Sequence, residues 1–159
     1  MTFDPAHLGY LVPYIILVVV GMLLVLAEAF YRGKDRTALV TLTVAGAIAS
    51  TIASIVLYRQ IDAGARISLL GGMLLADRTA YVLSALFGIT TALTALMSPA
   101  HQREHEWQIG EYYGVMLLSA SGMVMLAHAG NMVTVFLGIE TMSIGVYLMT
   151  AMRRRSRRG

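Results

Sequence analysis

Charged residues divide this chain at membrane-width intervals. Asp4 to Glu28, Arg36 to Arg59 and Arg78 to Arg103 bracket uncharged runs of 23, 22 and 24 residues. A helix needs about 20 apolar residues to cross the hydrocarbon core of a bilayer, so each run is one candidate span. From Tyr112 to Met152 there are 41 positions and a single charge, Glu140. That stretch is too long for one crossing and fits two, with a turn near Ala129-Gly130-Asn131. The expected fold is an all-α polytopic membrane protein forming a single membrane domain over residues 1–159. Five transmembrane helices are predicted, at roughly 11–31, 37–58, 78–97, 111–128 and 131–152. Pro13 falls in the first turn of the first helix, where its missing N–H is not needed, and Ser98-Pro99 is read as closing the third.

Composition supports the same class. The chain is 57% hydrophobic and 13% charged, with a mean hydropathy of +0.70. Soluble domains carry about 25% charged residues. The absence of cysteine excludes disulfides, thiolate-held iron–sulfur clusters and thiol catalysis. No Lys or Arg precedes Arg32, so the amino end lacks the basic region of a cleaved signal peptide, and the first hydrophobic run is expected to be retained. Basic residues also set the orientation. With the amino end outside, Arg32, Lys34, Arg36, Arg103 and five terminal arginines face the cytoplasm, against Arg59, Arg66 and Arg78 outside. The predicted topology is N-out/C-in, with a basic cytoplasmic tail over 153–159. Arg153 to Arg158 read as a stop-transfer anchor that also holds the tail to anionic lipids. A net charge of +3 with no soluble domain does not point to nucleic acid.

Between the second and third spans, Arg66-Ile-Ser-Leu-Leu70 and Met73-Leu-Leu-Ala76 flank Gly71-Gly72. A Gly-Gly pair between apolar runs is a two-residue hairpin signal, so a short outer β-hairpin is expected here. An interfacial loop with leucines dipping into the headgroups is the alternative.

Several polar groups lie within or beside the spans. Glu140 falls near the middle of the fifth, where a carboxylate is costly unless protonated, paired or hydrated. It is thus the leading candidate for a proton or ion path; a protonated carboxyl hydrogen-bonded to a neighbouring helix also fits. Thr134, Gly138, Thr141 and Gly145 form a small-residue contact face, and Glu140 lies about 100° from Thr141 at its border, with Ser143 and Tyr147 on the following turns. There it is expected to face a helix neighbour or an internal cavity. Gly46, Ser50 and Ser54 form a packing stripe on the second span. His128 lies near the outer end of the fourth, as a proton relay or as an interfacial histidine satisfied by water. Glu28 precedes Arg32 by four residues, as an ion pair or an interface anchor. His101 and His105 are also four apart, but Gln102 stands where a zincin helix requires Glu and no third ligand is evident, so they read as a solvated loop and no metal is expected.

The run Glu111-Tyr-Tyr-Gly-Val-Met-Leu-Leu-Ser-Ala-Ser-Gly-Met-Val-Met125, followed by Asn131-Met-Val-Thr-Val-Phe-Leu-Gly-Ile-Glu-Thr-Met-Ser-Ile-Gly-Val-Tyr147, closely resembles the NADH-quinone oxidoreductase subunit N family. These are antiporter-like membrane subunits of respiratory complex I. Leu70-Gly-Gly-Met-Leu-Leu-Ala-Asp77 resembles the family's segment entering its third helix, so the resemblance covers essentially the whole chain. It implies a bundle of many helices with two inverted five-helix repeats, each containing a discontinuous helix. It also implies that Glu140 pairs with a lysine on that broken helix along a proton path, with Ser143, His128 and Glu28 as possible supports. No cofactor is implied in this chain; NADH, FMN, iron–sulfur clusters and quinone belong to other subunits, so no redox chemistry is expected here. The implied partners are the other membrane subunits of complex I and the lipid bilayer, and the implied location is the cell inner (plasma) membrane. The chain departs from the family in stopping after the fifth helix, and no lysine follows Lys34. A fragment, split gene or frameshifted product is the expectation. A non-catalytic structural or assembly subunit and a component of a cation/proton antiporter are the competing readings.

Overall fold

The computed structural model describes residues 6–30, 37–104 and 110–155. A short helix α1 (Ala6–Tyr10) leads into α2 (Val12–Phe30), followed by α3 (Thr37–Gln60). Strands β1 (Ile67–Leu69) and β2 (Leu74–Ala76) come next, then α4 (Arg78–Glu104), α5 (Glu111–Ala127) and α6 (Met132–Arg155). Helices α2 to α5 form a closed group in which each packs on the next and α5 returns to α2. Helix α6 lies outside this group and makes its extensive contact with α5.

Close backbone approach builds the group. A Cβ on Gly21 of α2 would lie 3.2 Å from the Gly114 carbonyl of α5, and one on Gly114 would lie 2.9 Å from the Gly21 carbonyl. In lipid there is no hydrophobic drive between helices, so van der Waals contact at such small residues supplies much of the attraction. The expected stripe of α3 behaves this way: Gly46 meets Val20, and the Ser50 hydroxyl donates to the Pro13 carbonyl at 2.9 Å. The interior contains Leu17, Leu24, Leu39, Leu117 and Val124, closed at one end by buried Tyr113. Large apolar side chains such as Leu26, Ile52, Leu93 and Phe136 point outward, each more than half exposed.

Among the described residues, four helices are long and apolar enough to cross a membrane: Val12–Phe30, Thr37–Gln60, Arg78–Ala100 and Met132–Met152. The fourth expected span, 111–128, is the shorter apolar helix α5, of 17 residues. The third span does not close at Ser98-Pro99; α4 continues through Pro99 to Glu104. A proline removes one helical hydrogen bond and crowds one preceding carbonyl, which bends a helix without ending it when the following residues remain helical.

The hairpin is present, with Ile67 opposite Ala76, Ser68 opposite Leu75 and Leu69 opposite Leu74. Its loop has four residues, Leu70 to Met73, rather than the two expected from Gly71-Gly72. Leu70, Gly71 and Gly72 all take positive φ, 48°, 69° and 89°, a run that two glycines make feasible. The other edge of β2 is not left open. Leu75 N–H donates to the His128 carbonyl at 2.7 Å, Gly130 N–H donates to the Met73 carbonyl at 2.8 Å, and Leu74 bridges to Ala129. The α5–α6 turn is thereby fastened to the hairpin. Asp77 then starts α4 by accepting the Ala80 N–H at 2.8 Å, with Arg66 3.9 Å from its other oxygen.

Candidate functional site

The site is built on α6, and its geometry follows from how that helix is started and held. Asn131 caps it, its Oδ1 accepting from the Thr134 N–H at 2.9 Å and the Thr134 hydroxyl at 3.0 Å. Thr134, Gly138 and Gly145 are buried toward α5. A Cβ on Gly138 would lie 3.1 Å from Leu126, and one on Gly145 would lie 2.5 Å from Ser119. The Ser119 hydroxyl donates to the Met142 carbonyl at 3.0 Å, and Gly122 gives room for Thr141 Cβ. The expected small-residue face is the face that meets α5.

Glu140 is exposed and stands clear of that contact. At about 100° per residue it lies about 200° round from Gly138, nearly opposite α5. Thr141, taken as part of the contact face, is itself exposed, so the face ends there and Glu140 lies beyond the border rather than on it. Within the described residues it therefore faces neither a helix neighbour nor an internal cavity. Asn131 to Glu140 is a rise of about 13 Å, close to halfway through a hydrocarbon core of about 30 Å. Ser143, half-buried, and Tyr147, 70% exposed, fall on the same side over the next two turns. Phe136, Ile144 and Leu148 surround this polar line with exposed apolar surface.

The remaining candidates are not gathered here. His128 caps the far end of α5 beside the hairpin, 4% exposed, with Nδ1 2.9 Å from the Val124 carbonyl and its ring edge-to-face with Tyr81 at 5.1 Å. Glu28 lies at the opposite end of the group. Its carboxylate is seated against Gly110, the cap residue immediately before α5, where a Cβ would overlap it. The sequence spacing suggested Arg32 for Glu28, but Arg32 lies outside the described residues, as do the side chains of His101, His105 and the terminal arginines. The seat at Gly110 was not anticipated; a glycine just before the Glu111 helix start was the available signal. A carboxylate at a helix N-terminus is favoured by the unpaired N–H groups there. Among the described residues no group of three or more His, Cys, Asp or Glu is placed to hold a metal.

Long apolar helices, outward-facing aliphatic side chains and small-residue contacts between helices define a polytopic α-helical membrane protein. Comparison with known proteins narrows this. The chain is 29% identical over 154 residues, 97% of its length and 31% of the relative, to NADH-quinone oxidoreductase subunit N of Trichlorobacter lovleyi. It is 33% identical over 148 residues, 93% of its length and 28% of the relative, to the protein of the same name from Desulfovibrio desulfuricans. It is also 33% identical over 161 residues, 92% of its length and 31% of the relative, to NADH-quinone oxidoreductase subunit N 1 of Sorangium cellulosum. The chain belongs with the NADH-quinone oxidoreductase subunit N proteins, and it spans less than a third of the length of these curated relatives. No family model matches it.

Proposed function

We propose that this chain is a membrane-arm component of a proton-translocating NADH:quinone oxidoreductase, in which Glu140 is the acidic half of an intramembrane ion pair on the proton path. The single observation that carries this reading is the position of Glu140: near mid-span, exposed, and on the side of α6 turned away from α5. A carboxylate facing hydrocarbon is too costly to leave uncompensated, so this face is one that another transmembrane helix covers. A cation on that helix at the depth of Glu140 would pair with it, while Ser143 and Tyr147 offer hydroxyls along the same contact. Similarity to the subunit N proteins supports the assignment to such a complex. The orientation that fits is N-out/C-in in the cell inner membrane, with α5 as the fourth of five crossings, inside the bundle. The other membrane subunits are its partners, and no redox cofactor sits in this chain.

The test is Glu140→Gln in membranes containing the assembled complex, with Glu140→Asp as the conservative control. NADH-driven proton translocation should fall about tenfold or more for Gln and by less for Asp, while the amount of assembled complex is unchanged. Full translocation by the Gln variant overturns the reading. Loss of assembly with both variants instead supports a scaffolding role, in which the carboxyl only holds a neighbouring helix.

A further inference from the structure

The outward face shared by α3 and α4 carries a groove of about 310 Å³. Ile55 of α3 and Val82, Leu86 and Ile89 of α4 give it aliphatic walls, all four exposed, with Ala85 between them. Two tyrosines complete the lining. The Tyr81 hydroxyl is committed to the Tyr10 carbonyl at 2.9 Å, whereas the Tyr58 ring lies against the Arg78 guanidinium, with Cζ 5.2 Å from the ring centroid. Arg78 Nε also donates to the Ile61 carbonyl at 2.8 Å. A backbone hydrogen bond and a cation–π contact thus fix the guanidinium at one end of the groove. Among the described residues no carboxylate pairs with it. Asp77, its neighbour in sequence, accepts from the Ala80 N–H and faces Arg66. From residue 59 to residue 78, Arg59, Arg66 and Arg78 outnumber Asp62 and Asp77.

We infer that this groove binds a membrane phospholipid, its phosphate on the terminal N–H groups of Arg78 and one acyl chain along the α3–α4 wall. Length favours a lipid over a partner helix. Arg78 to Ile89 is a rise of about 16 Å, close to half of a hydrocarbon core of about 30 Å. That is the depth of one leaflet, which one acyl chain fills. A groove for a transmembrane helix would continue beyond Ile89. Charge favours the same occupant. Arginine makes charge-assisted hydrogen bonds to phosphate oxygens, and here it stands where the apolar wall begins. An arginine that only anchors a helix end extends its head into water. Arg78 is instead held against a ring that lines the groove. The site lies on α3 and α4, whereas α6 makes its extensive contact with α5, so it does not depend on the reading of Glu140.

The experiment uses the full chain in detergent micelles and native mass spectrometry. Its probes are dioleoylphosphatidylglycerol, dioleoylglycerol with the same chains and no phosphate, and glycerol 3-phosphate with no chains. The phospholipid should bind saturably at one site, about tenfold or more tighter than dioleoylglycerol, and glycerol 3-phosphate should not displace it. Arg78→Gln should bring the two lipids to equal affinity, while Arg59→Gln, at an exposed arginine nearby, should leave the preference in place. Leu86→Trp, at an exposed wall position, should fill the groove and abolish saturable binding of the phospholipid. Equal affinities for the two lipids in the unsubstituted chain overturn the proposal, and so does displacement by glycerol 3-phosphate, which would mean a site for free anions. The comparison of probes needs no substitution, so it decides the matter even if Arg78→Gln fails to fold. Equal losses from Arg59→Gln and Arg78→Gln would mean surface charge alone, and saturable binding that survives Leu86→Trp would place the lipid elsewhere; either overturns the proposal. Retention of neither lipid also overturns it and leaves the groove to a neighbouring helix.

Discussion

Gly138 and Glu140 are two residues apart on α6 and serve opposite sides of it. A Cβ on Gly138 would lie 3.1 Å from Leu126 of α5, whereas Glu140 is exposed about 200° round the helix. The glycine gives α5 its closest approach and thereby decides which way the carboxylate faces. The natural absence of cysteine makes this relation directly measurable. With cysteines at Leu126 and Gly138, mild oxidation in membranes should give a disulfide, because the Cβ separation is within a few tenths of an ångström of the usual range of about 3.5–4.5 Å. Cysteines at Leu126 and Glu140 should remain reduced. Efficient cross-linking of the second pair would mean that α6 is rotated from the position described.

Asp77 combines two interactions of different strength. Its Oδ1 caps α4 through the Ala80 N–H, while its other oxygen stands 3.9 Å from Arg66, whose side chain is 75% exposed. Asparagine is as good a cap as aspartate, so Asp77→Asn should cost less than about 1 kcal/mol, and that cost should shrink at high salt. Asp77→Ala should cost about 1 kcal/mol more through loss of the cap. Denaturation of the chain in detergent micelles at two ionic strengths separates the two contributions; equal losses for both variants would assign the effect to charge.

Ser50 and Ser54 are adjacent members of one stripe with different partners. Ser50 donates across to the Pro13 carbonyl of α2, while Ser54 donates to the Ser50 carbonyl within its own helix. Interhelical hydrogen bonds in membranes contribute about 0.6 kcal/mol on average and up to about 1.7. Ser50→Ala should therefore destabilise the chain within that range, and Ser54→Ala by clearly less, as read from the same micelle unfolding assay. A larger loss at Ser54 would show that bulk in the stripe, rather than the bond to Pro13, is what matters.

Gly110 and Glu28 form a pair that a double-mutant cycle can test. A side chain at residue 110 would displace the Glu28 carboxylate from the start of α5. Gly110→Ala should destabilise the unsubstituted chain and cost much less in a Glu28→Ala background. A coupling of about 0.5–3 kcal/mol is expected for residues in such contact. Additive losses would mean that the carboxylate does not sit there.

The charge pattern made the four long apolar helices legible, since lipid tolerates uncharged runs of the right length and little else. The glycine pair marked the hairpin, and the run from Glu111 to Tyr147 carried the resemblance to subunit N. Other features were not legible because they depend on partners distant in sequence. The four-residue loop arises where β2 is also bonded to the α5–α6 turn through His128 and Gly130. Pro99 reads as a stop, yet α4 runs on past it. The seat of Glu28 at Gly110 joins two helices whose spacing in sequence says nothing of their proximity.

By itself the sequence determined that the chain is a membrane protein, where its apolar runs lie, and that one carboxylate falls near the middle of the last of them. It did not determine which way that carboxylate faces. Lipid and neighbouring helices are equally apolar, so a hydrophobic pattern cannot distinguish the surface that meets protein from the one that meets bilayer. Only packing made that distinction. Gly138 and Gly145 let α6 approach Ser119, Gly122 and Leu126 closely, and with that contact made, Glu140 is left on the open side.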